Sequence, residues 1–347
     1  MKTILVAMAC GLLAAALPAS ATDEGPGCAN AAHLDVVAMG TKVRATICPR
    51  AKDGDGDAAQ AATQAVASEF ARLEALWSNW RPQSDVSRVN AAPGKPVRVA
   101  PETLAVVQTA LKASEQSGGL FDITFAPLGE VWQFDTPPGS HEPTQLRKLP
   151  TQDEVAARLA RVGYKHVVVD GKAQTIQLGK PGMALHLGGI GKGAAVDSVV
   201  ALLRKQGFDN FAVQAGGDLF CAGQNGSRPW RIGIAHPREK ARLLGVVLVH
   251  DAAFSTSGDY ERFALLDGVR YHHILDLRTG WPAKASQSAT VLATSATDAE
   301  ILTKWAFIAG GQAGLDAIGA RRAKGVIVDA TGKVWTSRGL TVLPGGK

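Results

Sequence analysis

The chain has 347 residues, 46% apolar and 20% charged, with 37 Lys and Arg against 31 Asp and Glu, a net charge of +6. So large an apolar fraction fills a full core. The mild basic excess is spread out, with no dense basic run and no interleaved aromatic platform, which argues for solubility and against a nucleic-acid partner.

The chain opens with Lys2, an apolar run through Ala16, Pro18 and the small-residue site Ala19-Ser20-Ala21. This pattern predicts a Sec signal peptide over residues 1–21, cleaved before Thr22, and hence a periplasmic protein. The apolar run is too short for a stable membrane span, and no later stretch reaches spanning length. The stretch before Cys10 is short and the apolar run continues past it, which disfavours lipidation. After cleavage Cys28, Cys48 and Cys221 remain. Cys28 precedes the first expected strand and Cys48 ends it, so they are the expected bridge in an oxidising compartment, with two unpaired buried thiols as the alternative. No two cysteines have zinc-site spacing.

Alternating Val, Thr and Ile predict a strand over 34–47, and apolar spacing predicts helices at about 58–77, 101–117, 151–162, 193–206 and 296–309. A surface loop is expected over 136–150. Strands are expected at 166–170, 211–214, 219–222, 230–235, 244–249, 271–275, 287–293 and 325–328. Late strands joined by short connections suggest an α+β layout, largely antiparallel, with helices packed on the sheets. No linker separates Val36 from Val334, so residues 22–347 read as one domain.

The segment Leu187-Gly188-Gly189-Ile190-Gly191-Lys192-Gly193-Ala194-Ala195-Val196-Asp197 packs four glycines around one lysine at a helix entry. Glycines let backbone N–H groups approach a ligand, and lysine supplies a cation for phosphate. A strand-to-helix turn with a solvated lysine is the plain alternative. The glycine spacing fits neither a P-loop nor the dinucleotide fingerprint.

Other segments surround it: Trp80-Arg81-Pro82-Gln83-Ser84-Asp85, Gly119-Leu120-Phe121-Asp122-Ile123-Thr124, and Ala215-Gly216-Gly217-Asp218. Ser255-Thr256-Ser257-Gly258-Asp259-Tyr260-Glu261-Arg262 and Tyr271-His272-His273-Ile274-Leu275-Asp276 follow. This ordered set, from about Gly40 to about Gly310, resembles the ApbE family, the FAD:protein FMN transferases. The resemblance implies one compact α/β unit with a flavin cleft. It also implies a reaction in which FMN passes from FAD to a Thr or Ser hydroxyl of an exported acceptor protein, through a phosphoester, and AMP leaves.

By the same resemblance Lys192 neutralises the pyrophosphate, and Thr256, in a turn, hydrogen-bonds phosphate or ribose. Phe121 and Asp122 belong to a flavin-binding segment, and Trp80 offers a stacking surface. His273 acts on the incoming hydroxyl and Asp276 orients its ring; period-2 alternation sends His272 to the opposite face. The family holds Mg²⁺ with an Asp, a Thr or Ser four residues on, and a loop carbonyl. Here the matching positions are Glu300 and Lys304, with Gly189 as the carbonyl donor, and His186 stands where an aspartate is usual. Glutamate can hold a hard cation, but lysine cannot, and it can pair with Glu300 one turn away. A shifted register through Asp298 and Thr303 turns the two off one face. Three readings follow: a transferase with an altered metal site, a periplasmic FAD pyrophosphatase giving FMN and AMP, and a non-enzymatic FAD-binding homologue. Lys192, Thr256, His273 and Asp276 favour the first over the third.

Overall fold

The computed structural model describes residues 27–50, 56–134, 143–144 and 148–345. The expected signal peptide and most of the expected 136–150 loop lie outside the described residues.

The strand expected over 34–47 is instead a hairpin of Ala32–Ala38 and Thr41–Ile47. Met39 and Gly40 both take positive φ, 51° and 67°. Two such residues make the tight turn whose twist matches paired strands. The register runs from Ala32 opposite Ile47 to Ala38 opposite Thr41. Cys28 is disulfide-bonded to Cys48, with a Cα–Cα distance of 5.5 Å, and Cys221 is a buried free thiol.

The hairpin begins an eight-stranded sheet. It continues through Phe211–Ala215, Asp218–Ala222, Ala252–Gly258, Ser286–Ala293, Lys324–Asp329 and Val334–Thr336. Every pairing within this sheet is antiparallel, so the α+β expectation holds. The helices Asp57–Trp77, Gly191–Lys205 and Ala296–Ala309 pack on one face. A three-stranded sheet of Trp230–Ala235, Leu243–Val249 and Leu343–Pro344 covers part of the other. Side-chain alternation sorts each strand between two cores. Ala253 lies in the helix-side cluster with Phe70, Val196 and Ala299, whereas Phe254 lies with Trp230 and Val247.

The Ala252–Gly258 strand corrects the reading of Thr256-Ser257-Gly258-Asp259 as a turn: Thr256 to Gly258 are its last three residues. It runs between Asp218–Ala222 and Ser286–Ala293, with Thr256 opposite Thr290. Its run of small residues carries too weak an apolar alternation to announce a strand. Two helices also went unexpected: Asp85–Asn90, capped by the Ser84 side chain, and the glycine-rich Gly311–Ala320.

Candidate functional site

The helices Gly191–Lys205 and Ala296–Ala309 meet at their N-terminal ends. A Cβ on Gly193 would lie 2.4 Å from the Ala296 carbonyl oxygen, so only glycine permits this approach. Each helix then caps the other. Gly193 N donates to Glu300 Oε2 at 2.7 Å. Ala296 N and Thr297 N donate to the two oxygens of Asp197, at 2.7 and 2.9 Å. A carboxylate satisfies orphan amides at a helix start and complements its dipole. The expected anion site ahead of the glycine-rich helix is thus partly filled by Glu300.

Around Glu300 lies a compact charge cluster. Lys192 Nζ donates to Glu300 Oε1 and stands 3.0 Å from Asp218 Oδ2. Ser255 Oγ donates to Asp218 Oδ1 at 2.5 Å. Lys304 Nζ is 3.7 Å from Glu300 Oε1 and donates weakly to Thr303 Oγ1 at 3.4 Å. Ser257 Oγ donates to Thr303 Oγ1 at 2.8 Å, and that hydroxyl donates to Glu300 O. Both carboxylates are buried, and the two ammonium groups face them in a balanced set. Burial at this cost is tolerated because each charge has partners. For Lys192 burial opposes the charge, but Asp218 and Glu300 outweigh it and hold the pKa above the ordinary lysine value. Burial lowers the Lys304 pKa, and Lys192 adds to the effect against the pull of Glu300 and Asp218. Asp218 is held below the ordinary range: burial acts against this, but Lys192 and Lys304 prevail.

His273 is exposed and feels the Lys304 charge. Its Nδ1 lies 3.3 Å from the Arg262 carbonyl, an acceptor only, so the proton resides on Nδ1 and Nε2 keeps its lone pair. Crowding by protein atoms, then the charges of His272, Arg262 and Lys304, lower its pKa to about 3. His186 is likewise lowered to about 4, by burial and then by Arg262 and Lys192. The two histidines therefore share Arg262 as a charged neighbour. His272 is buried, donates from Nε2 to the Ala283 carbonyl at 2.8 Å, and meets the Phe307 ring edge-on. The opposite placement of the two histidines matches the sequence expectation.

Other expected residues are placed differently. Asp276 does not reach His273: its carboxylate clamps Arg278, with Nη2 at 2.7 Å, and its carbonyl accepts Thr279 N and Gly280 N in a tight turn. The Arg262 carbonyl orients the histidine ring instead. Thr256 faces away from Lys192, its hydroxyl 2.9 Å from that of Thr290, while Ser255 and Ser257 take the cluster side. A one-residue difference along a strand exchanges the faces. Phe121 is a core residue whose ring lies under Gly189, where an added Cβ would be 3.1 Å away. The Asp122 carboxylate accepts from Thr124 N, Thr124 Oγ1 and Tyr164 N, which ties two loops together. Burial raises its pKa against those bonds. Trp80 is 89% exposed. Its neighbour Asn79 donates to Leu185 O at 2.7 Å, next to His186.

Gly189 and Glu300 were the expected metal ligands. Both Glu300 oxygens already accept hydrogen bonds and Lys304 stands beside them, so this donor set does not fit Mg²⁺, which demands near-ideal octahedral oxygen coordination. Among the described residues no group of three His, Cys, Asp or Glu side chains is arranged to hold a metal ion.

Asp218, Ser255 and Arg262 were given no role from sequence, and Ser257 was read only as part of the Thr256 turn. Asp218 carried a signal, as the lone carboxylate opening the apolar run Leu219-Phe220-Cys221-Ala222.

The ApbE family model matches residues 39–328. An FAD:protein FMN transferase of Vibrio cholerae is 32% identical over 319 residues, covering 91% of this chain and 90% of that protein. One from Escherichia coli K12 is 29% identical over 323 residues, covering 91% and 88%. The crystal structure of the ApbE protein from Thermotoga maritima superposes with a TM-score of 0.78 at 31% identity, covering 89% of this chain and 97% of that one. The flavin transferase ApbE from Vibrio cholerae gives 0.77 at 29%, with the same coverage.

Proposed function

The chain belongs to the ApbE family, and we propose that it is an FAD:protein FMN transferase acting on a Thr or Ser hydroxyl of an exported acceptor protein in the periplasm. The family match over most of the chain, with relatives of that one activity, carries the reading. The expected signal peptide and the Cys28–Cys48 bond support the compartment.

In the reaction the acceptor oxygen forms a bond to the FMN-side phosphorus of FAD. The bond from that phosphorus to the bridging oxygen breaks, and AMP leaves with the electron pair. The hydroxyl proton passes to His273 Nε2, the nitrogen left free by the Nδ1–Arg262 contact. A lowered pKa keeps the ring neutral and ready to accept. The pyrophosphate dianion would offset the nearby Lys304 and Arg262 charges, and so strengthen the base once FAD is bound. Lys192 and its neighbours supply the cationic side of the cleft. Asp218 and Glu300 fix the Lys192 ammonium in position before substrate arrives, which limits reorganisation during the reaction. The residues at the family's metal position do not fit a divalent ion, and no step is routed through one.

The test is mass spectrometry of an exported acceptor after incubation with FAD, with AMP followed in parallel. A covalent FMN adduct on Thr or Ser, formed with AMP, is expected. AMP and free FMN without an adduct would identify a pyrophosphatase instead, and FAD binding with no products a non-enzymatic protein.

A further inference from the structure

We infer that Lys304 is a built-in cation standing where the family resemblance implies a divalent metal, so that this enzyme transfers FMN without Mg²⁺. The inference rests on the transferase reading and adds to it how the pyrophosphate charge is met.

Without Lys304, the single Lys192 ammonium would face two buried carboxylates, Asp218 and Glu300, and the cluster would carry a net negative charge. Such a pocket repels a pyrophosphate dianion. Lys304, 3.7 Å from Glu300, cancels that deficit. Its charge also acts on Asp218 and His273. Arg262, the cation sensed by both His186 and His273, has no carboxylate partner among the described residues. The cationic face offered to substrate is then made of side chains.

The same residues exclude the metal. Glu300 Oε1 is held by Lys192 and Oε2 by Gly193 N, so binding an ion would break the helix cap or the lysine pair. An ammonium beside the ion would repel it. His186, which stands where the family usually has an aspartate, stays neutral at physiological pH and contributes no anionic oxygen. A protonated lysine satisfies this environment; a divalent ion does not.

The decisive measurement is AMP release and acceptor adduct formation by the EDTA-treated, dialysed protein, with and without added MgCl₂. Wild type should agree within about two-fold between the two conditions. Lys304→Met, which keeps the length and removes the charge, should lose at least about ten-fold in EDTA and bind FAD more weakly by fluorescence quenching. Lys304→Thr installs the hydroxyl that the family pattern implies, and should regain activity with Mg²⁺ only. Wild-type activity abolished by EDTA and restored by Mg²⁺ would overturn the inference. So would a Lys304→Met protein as active as wild type in EDTA. Should no adduct form under any condition, the transferase reading fails separately. FAD binding then decides for Lys304: a loss of affinity in Lys304→Met with no Mg²⁺ effect on wild type supports it, and unchanged affinity refutes it.

Discussion

Gly193→Ala should destabilise the protein, although alanine is the better helix former. The substitution gains about 1 kcal/mol of intrinsic helix propensity. Against this, the new Cβ falls 2.4 Å from the Ala296 oxygen, 2.7 Å from its carbon and 2.9 Å from Thr297 Cα, all backbone atoms that cannot swing aside. Separating the helices costs about 1–3 kcal/mol as overpacking. It also stretches the Gly193 N bond to the Glu300 carboxylate, worth about 1.5–3 kcal/mol for a bond to a charged group. The balance is a loss of about 1.5–5 kcal/mol. Urea unfolding followed by tryptophan fluorescence should show a lower midpoint at unchanged slope. Gly319→Ala is the internal control. It lies in the Gly311–Ala320 helix with nothing within 4 Å of its would-be Cβ, so propensity alone should stabilise it by up to about 1 kcal/mol. If Gly193→Ala stabilises the protein as Gly319→Ala does, the close helix contact is wrong.

His273→Ala should abolish transfer and spare stability, whereas His272→Ala should cost about 1–3 kcal/mol by stranding the Ala283 carbonyl and leaving a cavity beside Phe307; melting curves and turnover of both variants check the pair. Because the His273 pKa is lowered, the neutral base persists below the ordinary histidine range, so the kcat/KM profile should have no acid limb near pH 6.5, and a limb centred there that His273→Ala removes would refute the lowered pKa. Reducing the Cys28–Cys48 bond, which closes a 20-residue span, should cost on the order of 3 kcal/mol in urea titrations with and without dithiothreitol.

Elements with strong apolar periodicity were legible in the sequence. Ala296–Ala309 was expected with both ends correct, and Pro101–Gln116 missed by one residue. The Ala252–Gly258 strand was not, because Ser255 and Ser257 spend their polar groups on Asp218 and Thr303 within a buried face. The family was legible as an ordered set of motifs; alternation gave the opposite facing of His272 and His273, and the choice of His273 came from the family resemblance alone. The site's partnerships were not legible. Lys192 meets Glu300 across 108 residues, and Asp276, though near His273 in sequence, is claimed by Arg278 in the next turn. Side-chain commitments of this kind depend on packing that no local pattern encodes. The departure at Lys304 was visible as an anomaly, but the geometry was needed to show both Glu300 oxygens already in use.

The exchanged caps have a consequence for how the chain opens. Gly193 and Ala296 receive their carboxylate acceptors from segments 107 and 99 residues away. Ser295 caps Asp298 N from within its own segment, but the amides of Gly193, Ala296 and Thr297 find their carboxylates only across these long loops, whose closure is slow. Amide hydrogens at Gly193, Ala296 and Thr297 should therefore exchange through a single shared opening, at one rate and with one denaturant dependence. The two helix starts behave as one hinge pin: loosening either end frees both.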